Sequence, residues 1–200
     1  GERVEKVAGS AYVVDELELE KFEYSDIHRM VKQVPGVYFQ EEDGYGLRAN
    51  IGIRGSGSGR SGKVTLMEDG VLIAPAPYAA PEAYYFPTSG RMSAIEVLKG
   101  PELLRYGPFT VGGAINLIST PIPEEAEGFV NVEIGENSAQ KSHVHYGATQ
   151  GQWGFLLESY QEETLGFKDI DRSNRDTGYD KEDYVAKLRW RSAEGAEHPQ

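Results

Sequence analysis

The sequence predicts an α+β domain over residues 1–124, followed over 125–200 by antiparallel strands with the two-faced pattern of a membrane barrel. Three observations carry that expectation. Strand-like alternation at Ile95–Lys99 and Gly112–Ile118 shares its region with a helical pattern at Ile27, Met30, Val31 and Val34. The composition changes after Thr120-Pro121-Ile122-Pro123. Beyond it, apolar and polar residues alternate in four short runs, Phe129–Ile134, His143–Ala148, Phe155–Tyr160 and Tyr184–Arg191.

Composition narrows the function classes. The 200 residues carry 20 Lys and Arg against 32 Asp and Glu, a formal net charge of −12. Affinity for nucleic acid comes from cations that neutralise phosphate, so nucleic acid is an improbable partner. Cysteine is absent, which removes disulfides and thiolate chemistry. No apolar run reaches the ~18 residues of a spanning helix, but barrel strands need only about ten residues of weak alternation. No leader pattern starts at Gly1, so any secretory signal is expected to have been removed or never present.

In chain order, Ala11–Val14 reads as a strand, and Asp15 can cap a helical turn over Glu16–Phe22. Ser25 is the expected N-cap of the helix carrying Ile27, Met30, Val31 and Val34, which Pro35-Gly36 stops. Val37–Phe39 is extended, Glu41–Arg48 is an acidic loop, and Ile51 and Ile53 belong to a strand ending at Gly55. A buried Arg54 would require a carboxylate partner. Asp69-Gly70 marks a hairpin turn between Val64–Met67 and Val71–Ile73. Gly100-Pro101 ends the strand at Ile95–Lys99, and Pro101 can open a helical turn over Glu102–Tyr106. Gly112-Gly113 at the start of the next strand implies a very close backbone neighbour.

Two stretches between these elements look like binding loops. Gly57-Ser58-Gly59-Arg60-Ser61-Gly62-Lys63 imitates a phosphate-binding loop, which needs Ser or Thr next and a helix after it. Here Val64 follows and the chain reads as a strand, so the stretch is expected to be an exposed loop instead. Ala74–Pro87 has too many prolines for a helix or central strand, and its Tyr78, Tyr84, Tyr85 and Phe86 supply rigid aromatic surface. Packing against a barrel wall would use the same residues equally well.

Several of these segments together resemble the plug domain of TonB-dependent outer-membrane receptors. The matching pieces are Val34-Pro-Gly-Val37, Ile51-Gly-Ile-Arg-Gly55, Asp69-Gly-Val71, Ile95-Glu-Val-Leu-Lys-Gly-Pro101, Arg105-Tyr-Gly-Pro108 and Gly112-Gly-Ala-Ile-Asn116. The resemblance runs over about Val7–Ile122 and implies a plug with a small mixed sheet. Its structural motif falls on Arg54, Gly55, Asp69, Gly70, Glu96, Gly100, Pro101, Tyr106, Gly107, Gly112, Gly113 and Asn116. The Ala-Pro-Tyr segment before Arg105-Tyr-Gly-Pro108 looks most like the ferric dicitrate branch.

By that resemblance, the function would be capture of an extracellular ferric chelate and its energised import across the outer membrane of a Gram-negative bacterium. Iron enters only as part of the chelate, and the protein would carry no cofactor of its own. The partners implied are TonB, with ExbB and ExbD, and outer-membrane lipid. An anionic chelate of iron–citrate type needs cations and hydroxyls at the apical loops, which nominates Arg60, Ser61, Lys63, Tyr78, Tyr84 and Tyr85, with Glu82 of the same aromatic loop named beside them as a ligand-binding candidate. Glu2–Val7 does not copy the family's TonB-contacting box, which is therefore expected upstream of Gly1. A non-transporting binding or sensor module is the alternative class, and haem, cobalamin or a nickel chelate are alternative cargoes.

In the second region, Val130, Val132 and Ile134 share one face against Asn131 and Glu133, and Val144 and Tyr146 oppose His143 and His145. Aromatics near the strand ends (Phe129, Trp153, Tyr160, Tyr184, Trp190) fit the girdles of a barrel. Leu165–Asp183 is expected to be a long polar loop. Four strands cannot close a barrel that in this family has about 22, so the chain is expected to be an N-terminal portion of a receptor. His143 and His145 share a face but lack an evident third metal ligand. Asp169-x-Asp171-x-Ser173 starts like a calcium loop, yet has Asn174 for the glycine and Asp180 for the closing Glu. No nucleophile–base or paired-carboxylate arrangement stands out, so no catalytic residue is nominated and an enzyme is not expected.

Overall fold

Alternation within the predicted strands builds the first layer. A computed structural model describes residues 10–21, 25–42, 44–73, 86–100, 103, 110–166 and 177–192. The chain divides into two compact units, 1–120 and 121–200.

In the first unit, β1 (Ser10–Val14), β4 (Val64–Glu68), β5 (Val71–Leu72), β6 (Met92–Lys99) and β7 (Gly113–Ser119) form one sheet in the order β1-β6-β7-β4-β5. β4 and β7 pair in parallel and the other neighbours are antiparallel, so the sheet is mixed, as expected. Residues two apart share a face. Val64, Leu66, Ile95, Val97, Ile115 and Leu117 therefore point into one buried cluster, while Met67, Leu98 and Ala114 join Leu103 in another on the opposite side.

Helix α2 (Ile27–Val31) covers the larger cluster with Ile27, Met30 and Val31, and Val34 follows beyond its end. The apolar positions are as read, but the cap differs. Asp26, not Ser25, accepts the N-terminal bond, from His28 N–H at 2.8 Å, and the Ser25 carbonyl accepts from Ser89 Oγ. Asp combines a carboxylate acceptor with favourable charge at the helix start. Helix α1 (Glu16–Glu20) is capped by Asp15, as read. β2 (Val37–Phe39) and β3 (Ile51–Ile53) form a separate antiparallel pair that adds Ile51 and Ile53 to the core.

The Gly112-Gly113 reading acquires a physical basis. A Cβ on Gly113, at φ +153°, would stand 2.8 Å from both the Leu98 carbonyl oxygen and Ile53 Cδ1. One on Gly112 would stand 2.9 Å from the Lys63 carbonyl oxygen, which accepts the Gly112 N–H. Four motif residues also meet in one network. Asn116 accepts from Gly70 N–H at 2.8 Å and donates to Glu96 at 2.9 Å, while Asp69 accepts from Ser119 N–H at 3.0 Å and from its hydroxyl. The β4–β5 turn is thereby bonded to β7 and, through it, to β6.

The second unit is a four-stranded antiparallel sheet of β8 (Glu127–Ile134), β9 (Gln140–Gln150), β10 (Trp153–Thr164) and β11 (Tyr179–Trp190), in the order β11-β10-β9-β8. Val130, Val132, Ile134, Val144, Tyr146, Phe155, Leu157, Tyr184 and Leu188 are exposed on one face. Leu156, Glu158 and Tyr160 on the other face are buried. The expected Leu165–Asp183 loop is shorter than read. β11 begins at Tyr179, because its polar first turn pairs residue by residue with β10, Lys181 opposite Glu162. Cross-strand pairing outweighs the weak strand propensity of Asp180–Asp183.

Candidate functional site

The Ser56–Lys63 loop leaves β3 through Arg54 and Gly55, both at positive φ. A buried Arg54 is not found: the side chain is exposed, beyond the edge of the Ile51–Ile53 pair. The buried guanidinium is Arg91, 5 % exposed, whose Nη2 donates to Glu68 Oε1 at 2.7 Å. A polar residue beside Ser89-Gly90 gave no pattern from which that burial could be read.

The loop is anchored rather than loose. Ser61 Oγ accepts from Ile51 N–H at 3.0 Å and donates to the Ala49 carbonyl at 2.9 Å. Ser61 is 0 % exposed, so its hydroxyl is committed to the scaffold and is not available to a ligand. Asn50 Oδ1 accepts the Arg60 N–H at 2.8 Å, the Tyr38 hydroxyl accepts the Gly57 N–H, and Ser56 Oγ accepts from Ile53 N–H. Arg60 and Ser61 hold positive φ, 48° and 54°, a conformation that side chains rarely adopt without such support. The residues after Lys63 form strand β4, so the helix a phosphate-binding loop requires is replaced by a strand.

Charge on this loop is arranged, not scattered. Arg60 Nη1 lies 2.9 Å from Glu42 Oε2, and Arg48 Nη1 lies 3.9 Å from the same oxygen. Lys63 is exposed. Tyr78, Glu82, Tyr84 and Tyr85, like motif residues Pro101, Tyr106 and Gly107, lie outside the described residues, as does the calcium-like stretch from Asp169.

The first unit also holds three buried ionisable groups that sequence reasoning did not single out, Asp26, His28 and Lys99. His28 stacks on Phe39, its Nε2 accepts from Asn50 N–H at 3.3 Å, and its Nδ1 lies 3.2 Å from Asp26 Oδ1. Burial pushes the Asp26 carboxyl up, but hydrogen bonds from the His28 side chain and backbone and the charges of His28 and Arg29 outweigh it. The net effect holds Asp26 below the ordinary carboxylate value. Lys99 is also buried and donates to the Pro35 carbonyl. Burial and the nearby Arg54 charge push its ammonium below the usual lysine range. In the second unit His143 bonds Glu158 at 2.8 Å, and His145 stacks on Phe129. Among the described residues no group of three His, Asp or Glu side chains could hold a metal ion.

A small mixed sheet with its anchored loops, followed in the chain by antiparallel strands apolar on one face, defines the class of plug-containing outer-membrane receptors. Residues 3–114 match the TonB-dependent Receptor Plug Domain, and the chain belongs to that family. A vitamin B12 transporter, BtuB of Vibrio vulnificus, is 30 % identical over 185 residues, 90 % of this chain and 29 % of that protein. The unliganded ferric citrate transporter FecA shares the fold with a TM-score of 0.77 at 24 % identity, covering 94 % of this chain and 30 % of its own. The siderophore receptor PirA of Acinetobacter baumannii does so with a TM-score of 0.70 at 23 % identity, covering 96 % and 31 %. The chain thus spans about a third of the length of these relatives.

Proposed function

We propose that this chain, as plug (1–124) and first barrel strands (125–200), belongs to an outer-membrane receptor that captures a ferric chelate and imports it with energy delivered through TonB. The observation that carries this reading is the band of exposed apolar side chains on one face of β8–β11 (Val130, Val132, Val144, Tyr146, Phe155, Leu157, Tyr184, Leu188), in the strands that follow a plug-family domain. Such a face suits acyl chains, while the polar face, with His143, Glu158 and Lys181, suits a filled lumen. The plug would block the lumen until pulled, and TonB with ExbB and ExbD would supply the pull. The cargo is read as an anionic chelate of iron–citrate type, met by Arg60 and Lys63 together with Tyr78, Glu82, Tyr84 and Tyr85.

Cobalamin is the second reading of the cargo, favoured by the identity to a vitamin B12 transporter. A receptor-deletion strain complemented with the full-length gene should grow on ferric citrate as sole iron source, and lose that growth when TonB is deleted. Rescue of cobalamin-dependent growth without rescue on any iron chelate would replace the first reading by the second. Cargo binding that persists with no TonB-dependent uptake would point to a sensor.

A further inference from the structure

The cation placed best for an anionic cargo already has an anion on it. Arg60 is no loose surface side chain. Its backbone N–H is held by Asn50, its φ is fixed at 48°, its neighbour Ser61 is anchored, and its own side chain is only 32 % exposed. What it presents is presented in one place. Glu42 takes that position with a 2.9 Å contact and also draws Arg48 to 3.9 Å, so two guanidiniums share a single carboxylate. The trio is unbalanced: two positive charges against one negative leave +1, and lifting the carboxylate away leaves +2.

We propose that Glu42 is a built-in competitor for the anionic part of the ligand, and that it sets the affinity and charge selectivity of the Arg60 site. This rests on the reading that the Ser56–Lys63 loop meets the cargo. Guanidinium forks favour paired carboxylate oxygens. A ferric polycarboxylate brings several carboxylates and can serve Arg60 and Arg48 together, where Glu42 offers one. The resident pair is partly exposed, so exchanging it is cheap in free energy. A neutral chelate has no group to place on the freed guanidiniums, and the Glu42 pair remains closed against it.

The test uses the purified full-length receptor and titration calorimetry with two probes, ferric citrate and a neutral ferric trihydroxamate. Glu42→Gln keeps an acceptor for Arg60 and removes the charge, and Glu42→Ala removes both. Each should tighten ferric citrate by about two- to fivefold, the size expected of a partly exposed ion pair, and leave the trihydroxamate unchanged. Arg60→Gln should weaken ferric citrate. If Arg60→Gln weakens ferric citrate while the Glu42 variants leave it unchanged or weaken it, or tighten both probes alike, Glu42 is a strut or a plain obstruction, and the inference falls while the loop reading stands. If Arg60→Gln has no effect, or the wild type does not bind ferric citrate, the loop reading fails and the inference with it.

Discussion

Gly113→Ala tests whether the Gly-Gly element is a steric requirement of the sheet. The added methyl would meet two neighbours at 2.8 Å, the Leu98 carbonyl oxygen and Ile53 Cδ1. The carbonyl belongs to the strand paired with β7 and cannot move without breaking the ladder. Overpacking of this kind costs about 1–3 kcal/mol. The φ of +153° adds strain for any residue with a Cβ, roughly 1–2 kcal/mol. A loss of about 2–5 kcal/mol is therefore expected. Gly59→Ala is the control, because its Cβ would meet nothing within 4 Å. Trp153 and Trp190 both lie in the second unit, so tryptophan fluorescence would report the wrong part of the chain. Amide hydrogen exchange at β6 and β7 is the suitable assay. A loss below about 0.5 kcal/mol, or one equal to the Gly59→Ala control, would refute the close-approach argument.

Ser61→Ala removes two buried hydrogen bonds and leaves the Ile51 N–H without its acceptor, so the first unit should lose about 1–3 kcal/mol by hydrogen exchange. Any effect on cargo binding should be the same for anionic and neutral chelates. Asp26 is depressed in the folded state, so its stabilising contribution is present above the ordinary carboxylate pKa and lost as pH falls through the lowered one. Unfolding measured from pH 6 downward should show an acid limb that Asp26→Asn flattens. Lys99 is a base with a lowered folded value, so the folded state binds fewer protons than the unfolded between that value and the ordinary lysine pKa. Stability should rise with pH across that window, and Lys99→Met should abolish the rise. On the strand sheet, Val132→Lys in the full-length receptor should reduce bilayer insertion by up to about 2–4 kcal/mol, depending on its depth, whereas Asn131→Lys on the opposite face should be nearly neutral.

Much of the fold was legible because its signals are local. Ile27, Met30, Val31 and Val34 repeat at helical spacing whatever they pack against. The Asp69-Gly70 turn needs positive φ at both residues, and the structure has 50° and 81° there. What failed were the features decided across the chain. Ser25 and Asp26 are both good caps, and the choice turns on His28, whose N–H reaches Asp26, and on Ser89, which claims the Ser25 carbonyl. The start of β11 at Tyr179 depends on a partner strand, since Asp180-Lys181-Glu182-Asp183 has no strand propensity of its own.

The loop residues divide by the same rule. Motif resemblance found the Ser56–Lys63 segment, but Arg60 and Ser61 are adjacent and equally polar, and nothing in their spacing says which one turns inward. The decision comes from Ala49 and Ile51, ten to twelve residues earlier, whose backbone groups need a hydroxyl between them. Once Ser61 supplies it, the positive φ at both residues turns Arg60 outward, towards Glu42. The same contrast separates Arg54 from Arg91. Arg54 lies at the exposed exit of β3 and needs no carboxylate, whereas Arg91 is enclosed and is found with Glu68. Arg91 and Arg60 therefore meet their carboxylates for different reasons. Arg91 does so because burial demands it, and removing Glu68 should cost stability. Arg60 remains partly open to solvent, and removing Glu42 should change what the loop can bind.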